Sequence, residues 1–112
     1  MLISRVQRVS SRLTEFPLSA VTAVLPVLPE PLRLRHGPLL VTVETWSDGA
    51  VTARLPVVGL WASAESDTLA LDALGTEIAM FVEDVEPMAK MGGIGGALKR
   101  QWEAICALVE MP

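Results

Sequence analysis

The chain has 112 residues, a net charge of −4 and 51% hydrophobic residues, which fits one globular domain with a substantial core. Aromatic residues make up only 4% of the chain, so the core is expected to be aliphatic. The single cysteine, Cys106, excludes an internal disulfide, and no apolar run approaches the roughly 18 residues of a membrane span. We therefore expect a cytoplasmic protein with no membrane contact.

Charge is unevenly distributed along the chain. Residues 1–38 carry five arginines and two glutamates, a balance of +3, whereas residues 39–90 carry nine acidic residues against Arg54 and Lys90, a balance of −7. Because phosphate contacts require Lys and Arg, the acidic part argues against strong DNA binding and suits a basic protein partner. A solvated surface that keeps the domain soluble is the simpler interpretation of the same charges.

The first 38 residues are predicted to form a basic, proline-rich arm. Residues 1–14 place apolar side chains at near-helical spacing beside three arginines, which fits a short amphipathic helix or an irregular edge strand. Packing on its own domain or on a second subunit is the favoured role of this segment, and a membrane-surface or RNA-binding arm is the alternative. Ser19–Leu25 is a candidate strand, residues 25–32 an extended connector and residues 32–35 a short strand.

A hairpin is predicted around Asp48-Gly49, because apolar residues alternate with polar ones on both sides of this turn. A three-residue loop, residues 47–49, pairs Val43 with Ala53, Val41 with Leu55 and Thr45 with Val51, so that one face is apolar. It leaves Thr42 beside Arg54 and Glu44 beside Thr52 on the outside. A slip of one residue would expose the apolar set, which favours this register, and Gly49 then occupies the left-handed position of the loop.

Residues 60–64 are predicted to form a third strand, and the apolar period then changes to that of a helix over residues 67–86. Ser66 or Thr68 can cap this helix, and Pro87 is expected to end it at Glu86. The apolar stripe consists of Leu71, Leu74, Ile78, Phe81 and Val85. Gly75 is expected to allow close packing of the helix on the sheet.

A glycine-rich hinge at residues 92–96 separates this helix from a second one, predicted over residues 97–110. Leu98, Trp102 and Ile105 form the apolar stripe of the second helix together with Val109, and the first three are the predicted oligomer contacts. The hinge would let the helix fold back on its own sheet or dock on another subunit.

The order of hairpin, short strand and helix resembles the amino-terminal domain of the HicB-like antitoxin family. The resemblance covers about residues 40–86 and is carried by Thr42-Val43-Glu44, Asp48-Gly49, residues 51–56, Val58-Gly59, Asp67-Thr68 and Ala70-Leu71. The tail after Pro87 is shorter than the DNA-binding domain of many members, and Ser66 replaces a usual glycine. The resemblance implies homo-oligomers and a small basic, RNA-cleaving HicA-like toxin as partner, contacted here by Glu77, Glu83, Asp84 and Glu86 and by the exposed edge of the hairpin.

The sequence gives little support to catalysis. The only histidine is His36, and Cys106 lies on a predicted buried helix face without an activating cation. We predict no catalytic site, no metal site and no cofactor. The predicted fold is α+β: a small antiparallel sheet of about three strands packed against one helix, plus a carboxy-terminal helix. The two functional hypotheses are a protein-binding module of the HicB antitoxin type and a structural or assembly subunit without a toxin partner, and a small hydrolase is a remote third.

Overall fold

A computed structural model describes residues 16–112 and confirms the α+β class. A four-stranded antiparallel sheet packs against one long helix, and a second helix follows at the carboxy terminus. The predicted amphipathic segment at residues 1–14 lies outside the described residues. The elements are β1 (Ser19–Leu25), β2 (Arg33–Leu34), β3 (Leu39–Thr45), β4 (Val51–Leu55), β5 (Leu60–Ala64), α1 (Asp67–Lys90), α2 (Gly96–Leu108) and β6 (Val109–Glu110).

The central hairpin, β3–β4, has the predicted register. Val43 lies opposite Ala53 and Thr45 opposite Val51, while Glu44 faces Thr52 on the other side of the sheet. The loop has three residues, because the Trp46 N–H bonds to the Ala50 carbonyl oxygen at 2.9 Å. Gly49 has a φ of +87°, the left-handed conformation that favours glycine at this position.

The sheet contains one more strand than the three expected, in the order β1-β3-β4-β5. β5 confirms the predicted third strand, and the candidate strand Ser19–Leu25 forms as β1, which pairs antiparallel with β3 along its whole length. Residues 25–32 connect β1 to β2 and contribute Leu28 and Leu32 to the buried core. The part of the proposed arm that the structure describes is therefore largely integrated into the domain.

Helix α1 begins where predicted, and the Leu69 N–H donates to the Ser66 hydroxyl at 3.2 Å. Its buried residues are Ala70, Leu74, Gly75, Ile78, Val82 and Val85, so the buried face is rotated relative to the predicted stripe, with Leu71 and Phe81 half-buried at its margins. A Cβ on Gly75 would lie 3.5 Å from Pro29, which shows that this glycine packs against the β1–β2 connector and not against the sheet.

The predicted end of α1 at Glu86 is wrong, because the helix continues through Pro87 to Lys90. Proline removes one N–H donor, and Pro87 lies in the last turn, three residues before the helix ends. The Gly92 N–H bonds to the Ala89 carbonyl and the Gly93 N–H to the Met88 carbonyl, which closes the helix end.

Helix α2 folds back on its own domain, and Ile105 and Val109 are fully buried there. The prediction of a helix as far as Glu110 is wrong by two residues, since Val109 and Glu110 form β6 and pair antiparallel with β2. The α2 end is held from the same region: Arg35 donates to the Cys106 carbonyl through Nε at 2.8 Å and to the Leu108 carbonyl through its backbone N–H at 3.0 Å.

Candidate partner-binding surfaces

The four acidic residues predicted to bind a partner lie on α1 but do not share one face. A helix turns about 100° per residue, so Glu77 and Asp84 lie almost in line along one flank, and Glu83 is about 100° from Asp84. Glu86 falls on the flank opposite Glu77. Glu83 and Asp84 are exposed, whereas Glu77 and Glu86 are half-buried.

Glu86 lies close to a basic side chain on the same helix. Its carboxylate lies 3.8 Å from the Lys90 ammonium group, one turn further along the helix. Such a partly exposed pair contributes little to stability, but it offsets the negative charge on this flank. The acidic surface available to a basic partner is therefore centred on Glu83 and Asp84.

The predicted exposed edge of the hairpin does not exist in this fold. Strands β3 and β4 are the two inner strands of the sheet, because β1 covers β3 and β5 covers β4. Within residues 16–112 the edge strands of the four-stranded sheet are β1 and β5. A hairpin alone presents two edges, and the sequence pattern of residues 41–55 carries no information about which strands cover them.

The sheet face opposite α1 carries a polar network that the sequence analysis missed. Trp46 Nε1 donates to Thr52 Oγ1 at 3.2 Å, and the hydroxyl oxygens of Thr52 and Ser63 are 2.8 Å apart. Next to this network, Arg54 Nε donates to Glu44 Oε1 at 2.7 Å. The alternation of side chains between the two faces of paired strands could have placed Thr52 and Ser63 on the same face. It could not have predicted the contact with the Trp46 indole, because Trp46 lies just outside β3.

Of the predicted oligomer contacts Leu98, Trp102 and Ile105, the last two pack in or against the core of the same chain. Leu98 and Trp102 are half-buried, and Ile105 has no exposed surface that a second subunit could contact. Gln101 fixes the helix further by donating from Nε2 to the Val58 carbonyl at 2.9 Å. In this fold α2 therefore belongs to the core of its own domain.

Residues 16–112 offer little support for a reactive cysteine or for a metal site. Burial raises the pKa of the Cys106 thiol above its ordinary value, with Glu86 and Glu103 acting in the same direction and the Arg35 charge opposing them. A raised pKa disfavours the thiolate, which is the reactive form. Residues 16–112 contain no group of three His, Cys, Asp or Glu side chains that could hold a metal ion.

The connector between β1 and β3 lines an open depression of about 580 Å³. Its walls include Pro26, Val27, Pro31 and Leu34, with Glu30 and Arg33 as the charged members. None of the nucleophile candidates lies in this wall.

No protein-family model matches the chain, and the searches of curated proteins and of solved structures also find no significant match. None of the helices within residues 16–112 is long and apolar enough to cross a membrane.

Proposed function

We propose that the protein is a non-catalytic protein-binding module of the HicB antitoxin type, which binds and neutralises a small basic RNA-cleaving toxin in the cytoplasm. The observation that carries the proposal is the arrangement of residues 39–86. The β3–β4 hairpin, the short strand β5 and the helix α1 follow one another in the order and at the motif positions on which the resemblance rests.

The charge distribution supports a basic partner. Glu83 and Asp84 are exposed neighbours on α1, and residues 39–90 carry nine acidic residues against two basic ones. Long-range attraction between an acidic surface and a basic protein accelerates association, and salt weakens this effect. The same surface repels nucleic acid, so we propose no strong DNA binding. The proposal requires neither a cofactor nor a metal.

The alternative is a structural or assembly subunit that forms homo-oligomers and has no toxin partner. The observation that favours it is the exposed apolar surface on β1 and β3, where Val24 and Leu40 lie opposite each other and open to solvent on the sheet face away from α1. Monomeric proteins rarely expose large contiguous apolar patches. The two functions differ in one measurable respect, which is whether a small basic RNA-cleaving protein binds to the acidic side of α1.

The test is a pull-down from the native cell extract at low and moderate salt, followed by mass spectrometry and an RNA-cleavage assay on any small basic protein that is recovered. We expect this protein to suppress the cleavage. The double variant Glu83→Lys/Asp84→Lys should slow association with the toxin and leave the thermal stability unchanged.

The matched control is Glu65→Lys/Glu110→Lys, which changes the net charge equally at two exposed positions away from the middle of α1. Equal slowing by both double variants would mean that only net charge matters, and would contradict a binding surface at Glu83 and Asp84. Sequence-dependent retention of DNA, without recovery of a small basic protein, would overturn the proposed function.

A further inference from the structure

The edge strand β1 is unusual in its lack of charge. It reads Ser-Ala-Val-Thr-Ala-Val-Leu, and the whole stretch from Phe16 to Pro29 contains no charged residue. Edge strands are ordinarily protected from pairing with other chains by charged side chains, prolines, bulges or short length. β1 has seven residues and carries no charge or proline within its bounds, so it has none of the protection that side chains supply.

Exposed apolar side chains are concentrated at the same place. Residues 16–112 contain eleven exposed large apolar side chains, and six of them lie on β1 or beside it: Phe16, Leu18, Val21, Val24, Val27 and Leu40. Val21 is 54% exposed although it is on the same sheet face as α1, and Val24 is 49% exposed on the opposite face. Within residues 16–112, helix α1 packs mainly on the β4–β5 side of the sheet, away from β1.

The sequence of β1 is complementary to itself when two copies run antiparallel about Thr22. Val21 of one copy then lies opposite Ala23 of the other, and Val24 lies opposite Ala20. Each large side chain would then lie opposite a small one. Thr22 lies opposite Thr22 of the second copy, a pair that antiparallel sheets favour.

We infer that β1 pairs with β1 of a second copy of this chain, which joins two four-stranded sheets into one continuous eight-stranded sheet about a two-fold axis at Thr22. The self-complementary sequence of β1 favours a second copy as the occupant. The net charge of −4 on each copy opposes association, but the uncharged strand places no like charges directly opposite each other at the interface. A basic toxin would gain nothing electrostatically from this edge.

This inference goes beyond the proposed toxin binding and does not depend on it, because it concerns only how two copies of the chain meet. Toxin binding is assigned to Glu83 and Asp84 on α1, and it is measured separately. Failure of the β1 pairing would leave the toxin proposal standing, and loss of the toxin would leave the dimer standing.

Cysteine cross-linking tests the register in the full-length protein. In a Cys106→Ala background, Thr22→Cys should form an intermolecular disulfide, because directly opposed residues in antiparallel strands have Cα atoms about 4.5–5.5 Å apart. Ala20→Cys is the matched control on the same strand. Its counterpart lies about four residues further along, roughly 13 Å away, which is too far for a disulfide.

The mass of the particle, measured by light scattering over a dilution series, tests the interface itself. Wild type should be a dimer, and Val21→Lys or Val24→Lys should weaken dimerisation about tenfold or more. Val57→Lys introduces the same charge at an exposed apolar residue between β4 and β5, and it should leave the dimer intact. Thermal melts of each variant establish that it folds.

A mass of one chain for wild type at every concentration would overturn the inference. A dimer that resists both lysine variants, or that cross-links equally well through Ala20→Cys, would overturn it too, because the interface would then lie elsewhere or in another register.

Discussion

The indole Nε1 of Trp46 donates a hydrogen bond to Thr52 Oγ1 at 3.2 Å, across the turn that connects β3 and β4. Thr52 is on the face of the sheet that points away from α1, yet it is only 4% exposed. It is therefore a buried polar residue with a buried donor, and its hydroxyl also lies 2.8 Å from that of Ser63. The alternation of residues 41–55 predicts the face of Thr52 correctly but not its burial.

Thr52→Val is consequently expected to destabilise the fold, whereas the alternating pattern alone would predict a small effect for this outward position. Valine conserves the shape but removes the acceptor of the Trp46 N–H and the partner of Ser63, which should cost about 1–3 kcal/mol. Urea unfolding followed by tryptophan fluorescence measures this loss. Thr42→Val is the control, because Thr42 lies on the same face but is only half-buried, and it should change stability by less than about 0.5 kcal/mol. Equal unfolding midpoints for the two variants would contradict a structural role for the network.

Gly49→Val tests the hairpin loop. A Cβ at Gly49 would meet no atom within 4 Å, so any loss of stability must come from the φ of +87° and not from a clash. A β-branched residue in this conformation should cost about 2 kcal/mol or more, since even ordinary residues pay about 1–2 kcal/mol. Gly49→Asn is the control, because asparagine tolerates the left-handed region better than other residues. A melting temperature of Gly49→Val equal to that of wild type would rule out the three-residue loop.

The hairpin could be predicted in detail because its determinants are local. The alternating residues 41–45 and 51–55 must place one set of side chains inside, and Gly49 restricts the loop to a geometry that keeps this set together. The end of α1 could not be predicted in the same way. Pro87 disfavours a helix by a local rule, yet the helix continues to Lys90, and the hydrogen bonds to the Ala89 and Met88 carbonyls beyond the proline complete its last turn.

Non-local partners account for most of the remaining differences. Val109 and Glu110 continue the helical pattern of α2, yet they form a strand because β2 offers a partner more than 70 residues earlier in the chain. For the acidic residues, closeness in sequence does not predict closeness on the helix surface. Glu77, Glu83, Asp84 and Glu86 are close in sequence, but the rotation of about 100° per residue separates Glu77 from Glu86 by half a turn of the helix.

Ile105→Ala tests whether α2 belongs to the core of its own domain. Ile105 has no exposed surface and packs in the central apolar cluster, so truncation should cost about 2–5 kcal/mol at any protein concentration. Ile105→Val should cost about 0.5–1.5 kcal/mol. Ala107→Ser, at an exposed position of the same helix, serves as the control and should have little effect. If α2 instead docked on another subunit, the loss would depend on concentration, and unfolding curves recorded across a hundredfold dilution would separate.

The thiol of Cys106 gives a prediction about pH. Burial raises its pKa in the folded protein, so the folded state holds the proton at pH values where the unfolded chain has begun to release it. The contribution of this group to stability is therefore complete below the unfolded pKa, about 8.5, and is lost as the pH rises through the folded pKa. The rate of alkylation by iodoacetamide should accordingly rise at higher pH for the native protein than for the protein in denaturant.

Arg35 opposes this shift, because its guanidinium charge favours the thiolate while its Nε donates to the Cys106 carbonyl at 2.8 Å. Arg35→Gln removes the charge, so the alkylation profile of the native protein should move to still higher pH. It should also destabilise the end of α2 by about 0.3–1 kcal/mol, since a cation near a helix carboxy terminus is favourable. Arg33→Gln is the control: it removes the same charge from an exposed position of β2 and should leave the profile in place. Coincident profiles for Arg35→Gln and wild type, both shown to be folded by thermal melts, would mean that the Arg35 charge does not act on the thiol.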